Sequence, residues 1–255
     1  EYEKWLSNNC VSGKRYFDRG SFPNSLQELL DLAKPGVFQV GMFAVGGTTA
    51  TASKHLSPTR HSCHQDASLA TECGFTDTNA YALARKFRPH VVILMLGTND
   101  AKDTVEVLQR HLLPDIKDIM DNLTSEMPEG FTDNHWLMIP PVVKHNRFGI
   151  NETVLKEYVW PILSQAAFEN NWQTIGLASV LEKGRDYFFG QVISRGIVKS
   201  IRYHVYPSSI SDGVHPKAAG SEKIAEIVRS VILEKFKNGS PPLQSLNAKS
   251  NRTNR

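Results

Sequence analysis

Apolar residues along this chain fall into two alternating kinds of segment: short runs, and longer stretches with a rhythm of three to four residues. Val37 to Val45 is an apolar run rich in Val and Phe, His90 to Leu96 is almost wholly apolar, and Trp136 to Ile139 and Thr174 to Ala178 are shorter runs. Runs of this kind predict strands buried on both faces. Helical spacing predicts helices over Ser25 to Lys34, Thr78 to Phe87, Thr104 to Leu123, Glu152 to Glu169 and Ser221 to Phe236. In the last, Ile224, Ile227, Val228, Val231 and Ile232 make one apolar face. Pro35-Gly36 stops the first helix, and Pro114 and Pro161 predict kinks in the third and fourth.

Strand, helix, strand, helix in this order predicts an α/β fold, a doubly wound parallel sheet with helices on both faces, built as one domain over residues 21–237. Residues 1–20 read as an irregular N-terminal remnant and 238–255 as a polar, disordered tail. Two segments break the rhythm. Residues 51–75 are polar without periodicity, longer than an ordinary connection. Residues 184–210 are an aromatic, basic, weakly β-like excursion. In open parallel sheets, ligands bind beyond the carboxyl ends of the strands. Three polar segments follow that rule: Gly46-Gly47 after the first run, Gly97-Thr98-Asn99-Asp100 after the second, and Ser211-Asp212-Gly213-Val214-His215-Pro216 before the last helix.

Composition narrows the function. The chain has 255 residues, 40% of them hydrophobic, and a formal net charge of +3. That charge is small and its lysines and arginines are scattered, so no nucleic-acid partner is expected. No apolar run approaches the ~18 residues of a membrane span. The chain starts at Glu1 rather than at methionine, so an upstream segment is expected to be missing from it. Three cysteines, Cys10, Cys63 and Cys73, define no disulfide framework, although Cys63 and Cys73 share one loop and suit a pair in an oxidising compartment. Asn122, Asn151, Asn238 and Asn251 each open a glycosylation sequon, which leans towards export.

The three polar segments carry a coherent chemistry. An acid and a histidine three residues apart, as Asp212 and His215 are, can work as a general base and the carboxylate that fixes its tautomer. A glycine after a strand offers its backbone N–H without a Cβ in the way, which suits Gly47. An asparagine side chain offers uncharged N–H donors, which suits Asn99. Two such donors facing the oxygen of an ester in attack would stabilise the charge that develops there. Taken singly, each segment is also an ordinary turn, and Asp212-His215 an ordinary helix-capping turn.

Together and in this order the segments resemble the SGNH (GDSL-type) esterase and lipase superfamily. Ala44-Val45-Gly46-Gly47-Thr48-Thr49-Ala50 matches its second block, Met95-Leu96-Gly97-Thr98-Asn99-Asp100 its third, and Ser211 to Pro216 its fifth. Ser21 to Leu30 is similar to its first helix, and Met95 to Lys102 with Gly149 to Thr153 resembles a carbohydrate branch, the sialate acetylesterase-like proteins. The resemblance spans roughly residues 21–236. It implies a three-layer α/β/α fold, an oxyanion hole at Gly47 and Asn99, a triad acid at Asp212 and a base at His215. It implies a small acyl ester or acetylated carbohydrate as substrate, and no cofactor or metal.

The chain departs from the family's pattern in one place that matters. The Gly-Asp-Ser block that carries the nucleophile, and the strand before it, are not found. Ser7 and Ser12 lie at a suitable distance before Pro23, but neither follows Gly-Asp, so the nucleophile stays unassigned. The expected cause is an incomplete N-terminus, because an omitted central strand would leave buried backbone groups unpaired at about 1–3 kcal/mol each. The alternative is a catalytically inactive, carbohydrate-binding relative. Met42 also stands where the family often has asparagine. His61, Cys63, His64 and Cys73 raise zinc, but their spacing matches no common site. Tyr187, Phe188, Phe189, Tyr203, His204 and Tyr206 suit either a pocket wall or loop packing. Lys183, Arg185, Arg195, Lys199 and Arg202 suit a solvated face, or attraction for an acidic sugar.

Overall fold

The computed structural model of the chain describes residues 22–57, 73–143, 147–182, 216 and 218–237. These fall into two compact units, residues 22–42 with 218–237 in one and the described residues between 43 and 216 in the other.

In the first unit, helix α1 (Phe22–Ala33) packs against helix α6 (Ala218–Lys235). Leu26 and Leu30 of α1 and Ile224, Val228 and Ile232 of α6 are buried, at the four-residue spacing that makes one face of a helix. Gln27 is buried with them, and its amide holds the following chain. It donates to Phe38 O at 3.0 Å and accepts from Val40 N at 2.8 Å. Those bonds fix residues 38–40 as irregular backbone, and this corrects the buried strand predicted over Val37 to Val45. Val37 and Gln39 are exposed, and among residues 37–45 only Val45 is buried. The run is interrupted by Gln39 and Gly41, and among the described residues no strand pairs with it. Among residues 37–45 Gly41 alone takes a bridge, so the strand that composition promised is not formed among the described residues.

The second unit carries the sheet. Strands β1 (Val92–Leu94), β2 (His135–Ile139) and β3 (Gln173–Gly176) are parallel, in the order β1-β2-β3. Val92 is opposite His135 and Leu94 opposite Leu137. Trp136 is opposite Gln173, and Ile139 opposite Gly176. Between strands run α3, made of Val105–Val107, the π-helical Leu108–Leu112 and Leu113–Thr124, and α4, made of Glu152–Val154, the π-helical Leu155–Val159 and Trp160–Glu169. Helix α2 (Asn79–Phe87) precedes β1, and α5 (Leu177–Glu182) follows β3. This is the α/β architecture of crossover units that the alternation predicts. The core lies between α3, α4 and the sheet, with Leu108, Leu112, Ile116, Ile119, Leu137, Leu155, Val159 and Leu163 all fully buried.

The elements begin where the sequence supplies caps. Thr78 Oγ1 accepts from Tyr81 N at 3.2 Å and Thr104 Oγ1 from Val107 N at 3.4 Å. Asn151 Oδ1 accepts from Thr153 N and Val154 N. Caps of this kind are worth about 1 kcal/mol each. Both prolines are accommodated in the same way. Pro114 and Pro161 each sit two residues after a π-helical segment. Proline has no N–H for the ladder, and the extra residue of a π turn shifts the bonding past it. Strand β3 ends at Gly176, two residues before the predicted end, because Leu177–Glu182 is helical.

Candidate active site

The chain leaves β1 at Leu94 and turns at Gly97-Thr98-Asn99, beyond the strand's carboxyl end. Gly97 has φ +109°, and a Cβ there would stand 3.0 Å from Val159 Cγ1 and from Leu163 Cδ1. The backbone conformation and the close approach of α4 both require glycine. The turn presents Asn99, half-buried, whose Nδ2 donates to Thr48 O at 3.2 Å. Thr48 directly follows Gly47, itself a half-buried residue at φ +88°. Gly47 and Asn99, distant in sequence, therefore lie on adjoining loops.

A buried carboxylate joins the same two loops. Asp100 is fully buried, and its two oxygens take two consecutive backbone donors: Oδ2 from Ala50 N at 2.9 Å and Oδ1 from Thr51 N at 2.8 Å. Bonds to a charged acceptor are worth about 1.5–3 kcal/mol each. The next donor, Ala52 N, goes to Asp115 Oδ2 at 2.9 Å, so three successive N–H groups end on two carboxylates. On its other side the loop pairs in parallel with residues 73–75. Thr49 N donates to Cys73 O at 3.0 Å, and Phe75 N donates to Thr49 O at 2.9 Å. Cys73 is fully buried and disulfide-bonded, which removes its sulfur as a thiolate ligand for a metal.

The third side is the chain beyond β2. Asn151 N donates to Ala101 O at 3.1 Å, which ties the start of α4 to the Asn99 loop. Close by, Ser57 Oγ donates to Asp103 Oδ1 at 2.6 Å, and the same oxygen accepts from Thr104 N at 3.0 Å. His55 completes the polar layer. Its Nδ1 lies 2.8 Å from the Asp115 oxygen that also holds Ala52. Its ring stacks on His111, with centroids 3.9 Å apart and 15° between planes. Partial burial, and then the neighbouring His55, hold the His111 pKa below the ordinary histidine value.

Of the residues picked from sequence, Gly47 and Asn99 lie side by side on adjoining loops. Asp212 and His215 lie outside the described residues, as do Ser7, Ser12, His61, Cys63, His64 and the aromatic and basic residues of the 184–210 excursion. Lys183 lies outside them too. Asp115 and His55 were not picked from sequence. Asp115 had a signal: it is a carboxylate on the buried face of α3, in line with Leu108, Leu112 and Ile119. His55 had none, since it sits in a single 3-10 turn within a polar loop. Among the described residues no group of three histidine, cysteine, aspartate or glutamate side chains is arranged to hold a metal ion, and no helix is long and apolar enough to cross a membrane.

The family model for GDSL-like lipases and acylhydrolases matches residues 7–228. No curated protein sequence matches the chain. Among solved structures, a carbohydrate acetylesterase family member from Sinorhizobium meliloti is similar over 92% of this chain and 95% of its own, at 15% identity and a TM-score of 0.51. A second carbohydrate acetylesterase from that organism is 14% identical over 88% of this chain and 89% of its own, with a TM-score of 0.47. An aryl esterase from M. smegmatis is 16% identical over 87% of this chain and 88% of its own, with a TM-score of 0.46.

Proposed function

The chain belongs to the family of GDSL-like lipases and acylhydrolases, hydrolases that act on ester bonds, and from that membership we propose that it removes small acyl groups, O-acetyl groups on carbohydrate above all. The carbohydrate part of this reading rests on the resemblance of residues 95–102 and 149–153 to the acetylesterase branch. In the proposed mechanism His215 takes the proton from the attacking serine and Asp212 orients its ring. Gly47 N–H and the Asn99 amide donate to the oxygen of the tetrahedral intermediate. The serine itself is not assigned.

One observation carries the site: the bond from Asn99 Nδ2 to Thr48 O at 3.2 Å, which supports a pair of donors beside one reacting carbon. An asparagine anchored in this way enters the reaction already oriented, and that preorganisation is where such donors gain their effect.

The test is hydrolysis of p-nitrophenyl acetate by the complete protein and two variants of it. His215→Ala is expected to lower kcat by roughly a thousandfold or more. Asn99→Ala is expected to lower it by about 10²–10³ with little change in KM, because the oxyanion exists only beyond the ground state. Equal rates for wild type and His215→Ala would end this mechanism. Acetate release from acetylated sugars, compared with cleavage of longer p-nitrophenyl acyl esters, tests the substrate class. A preference for long acyl chains would overturn it.

A further inference from the structure

We infer that Asp115, together with His55, is a positioning pair for the loop that carries Gly47. This inference rests on the ester-hydrolase reading above. The supporting geometry is a single oxygen with two duties. Asp115 Oδ2 accepts Ala52 N–H at 2.9 Å and the His55 Nδ1–H at 2.8 Å. Asp115 stands on α3, inside the packed core, and its side chain is only 9% exposed. The loop it holds has no regular structure of its own between Gly46 and Ala52 beyond one bridge at Thr49. A rigid helix thus sets the place of a loop that cannot set its own.

The direction of the effect follows from the chain of bonds. Asp100 takes the N–H groups of residues 50 and 51, but it lies on the Asn99 loop and moves with it. Asp115 ties the 46–52 loop to α3, in addition to the loop's bridge to residues 73–75 at Thr49. Releasing Ala52 leaves Gly47 and Asn99 joined to each other but less firmly set against the rest of the site. His55 is the second partner of Oδ2, and its ring stacks on His111, with centroids 3.9 Å apart.

An aspartate bonded to histidine Nδ1 is also half of a proton relay. Here, among the described residues, no nucleophilic side chain lies within hydrogen-bond reach of His55, and His111 covers one face of its ring. The bonds that are described, from Ala52 N–H and His55 to one Asp115 oxygen, support positioning.

The experiment is steady-state hydrolysis of p-nitrophenyl acetate by the complete protein, with thermal unfolding of every variant. Asp115→Ala is expected to lower kcat by about 10–100-fold at nearly constant KM, the size of loss that follows a small misplacement of reacting groups. Asp115→Asn keeps an acceptor oxygen where both bonds end, and it is expected to recover most of that loss. His55→Ala keeps the Ala52 bond and is expected to fall between them. Glu126→Gln, which removes only the half-exposed pair with Arg85, is the control expected to leave kcat unchanged. If Asp115→Ala fails to fold, His55→Ala and Asp115→Asn decide. Unchanged kcat in all folded variants of an active enzyme, whatever their melting temperature, would overturn the inference. Absence of turnover in wild type would overturn the reading beneath it instead.

Discussion

At the scale of single residues, two buried carboxylates do the same work by different geometry, and the difference is testable. Asp115 uses one oxygen for both of its partners. Asp100 uses both oxygens, one for Ala50 N–H and one for Thr51 N–H. An asparagine at position 115 can present its single carbonyl to both donors. At position 100 it cannot, because one carboxylate oxygen becomes an NH2 group pointed at a backbone N–H in a fully buried place. Leaving one buried donor unsatisfied costs about 1–3 kcal/mol, and a donor facing a donor adds repulsion. Asp100→Asn is therefore expected to lose at least that much stability in urea unfolding and to lower kcat as the loops separate. A variant as stable and as active as wild type would mean that the two loops are held together by something else.

At the scale of elements, what was legible depended on whether neighbours within the same element carried the signal. Helices α1 to α4 and α6 were read to within a few residues because buried positions such as Leu108, Leu112, Ile116 and Ile119 recur at helical spacing, whereas the short α5 was missed. Strands β1 and β2 were read because each is an apolar run ended by a breaker. The run Val37 to Val45 looks the same, yet Gln27, on another element, fixes residues 38–40 as irregular chain through its side chain. No window of local sequence contains that information. The site divides in the same way. Gly47 and Asn99, the proposed oxyanion donors, could be picked out because each sits in a short motif, whereas the Asp115 tether needs a contact across 63 residues. Gly97 shows how closely an element and a motif can depend on each other. The same glycine follows β1, opens the turn to Asn99 and receives α4 at Val159 and Leu163. Gly97→Ala combines a strained φ of +109° with two contacts at 3.0 Å. It is expected to cost about 1–3 kcal/mol in chemical unfolding, with α4 pushed outward. Loss below a few tenths of that would show that the helix yields freely.

At the scale of the whole molecule, stability should depend on pH through two histidines on different elements. His90, just before β1, packs edge-on against Phe131 with ring centroids 4.6 Å apart, and burial holds its pKa below the ordinary value of 6.5. His111, on α3, is lowered by burial and then by His55. Both folded histidines thus resist a proton that the unfolded chain accepts near its ordinary pKa of about 6.5. Wherever the unfolded state binds more protons, stability rises with pH. The contribution is therefore fully present above about pH 6.5 and is lost as pH falls through the lowered folded values. Below those values it levels off, because both states are then protonated. Melting temperatures measured from about pH 7.5 down to about pH 5.5 are expected to fall across a range that lies above ordinary carboxylate titration. His90→Gln and His111→Gln should each flatten the fall, and together they should flatten it further. His111→Gln also removes the stack on His55, so its baseline stability is expected to drop even where pH has no effect. If the double variant keeps the slope of wild type, the acid sensitivity lies in other groups and these two histidines are spectators.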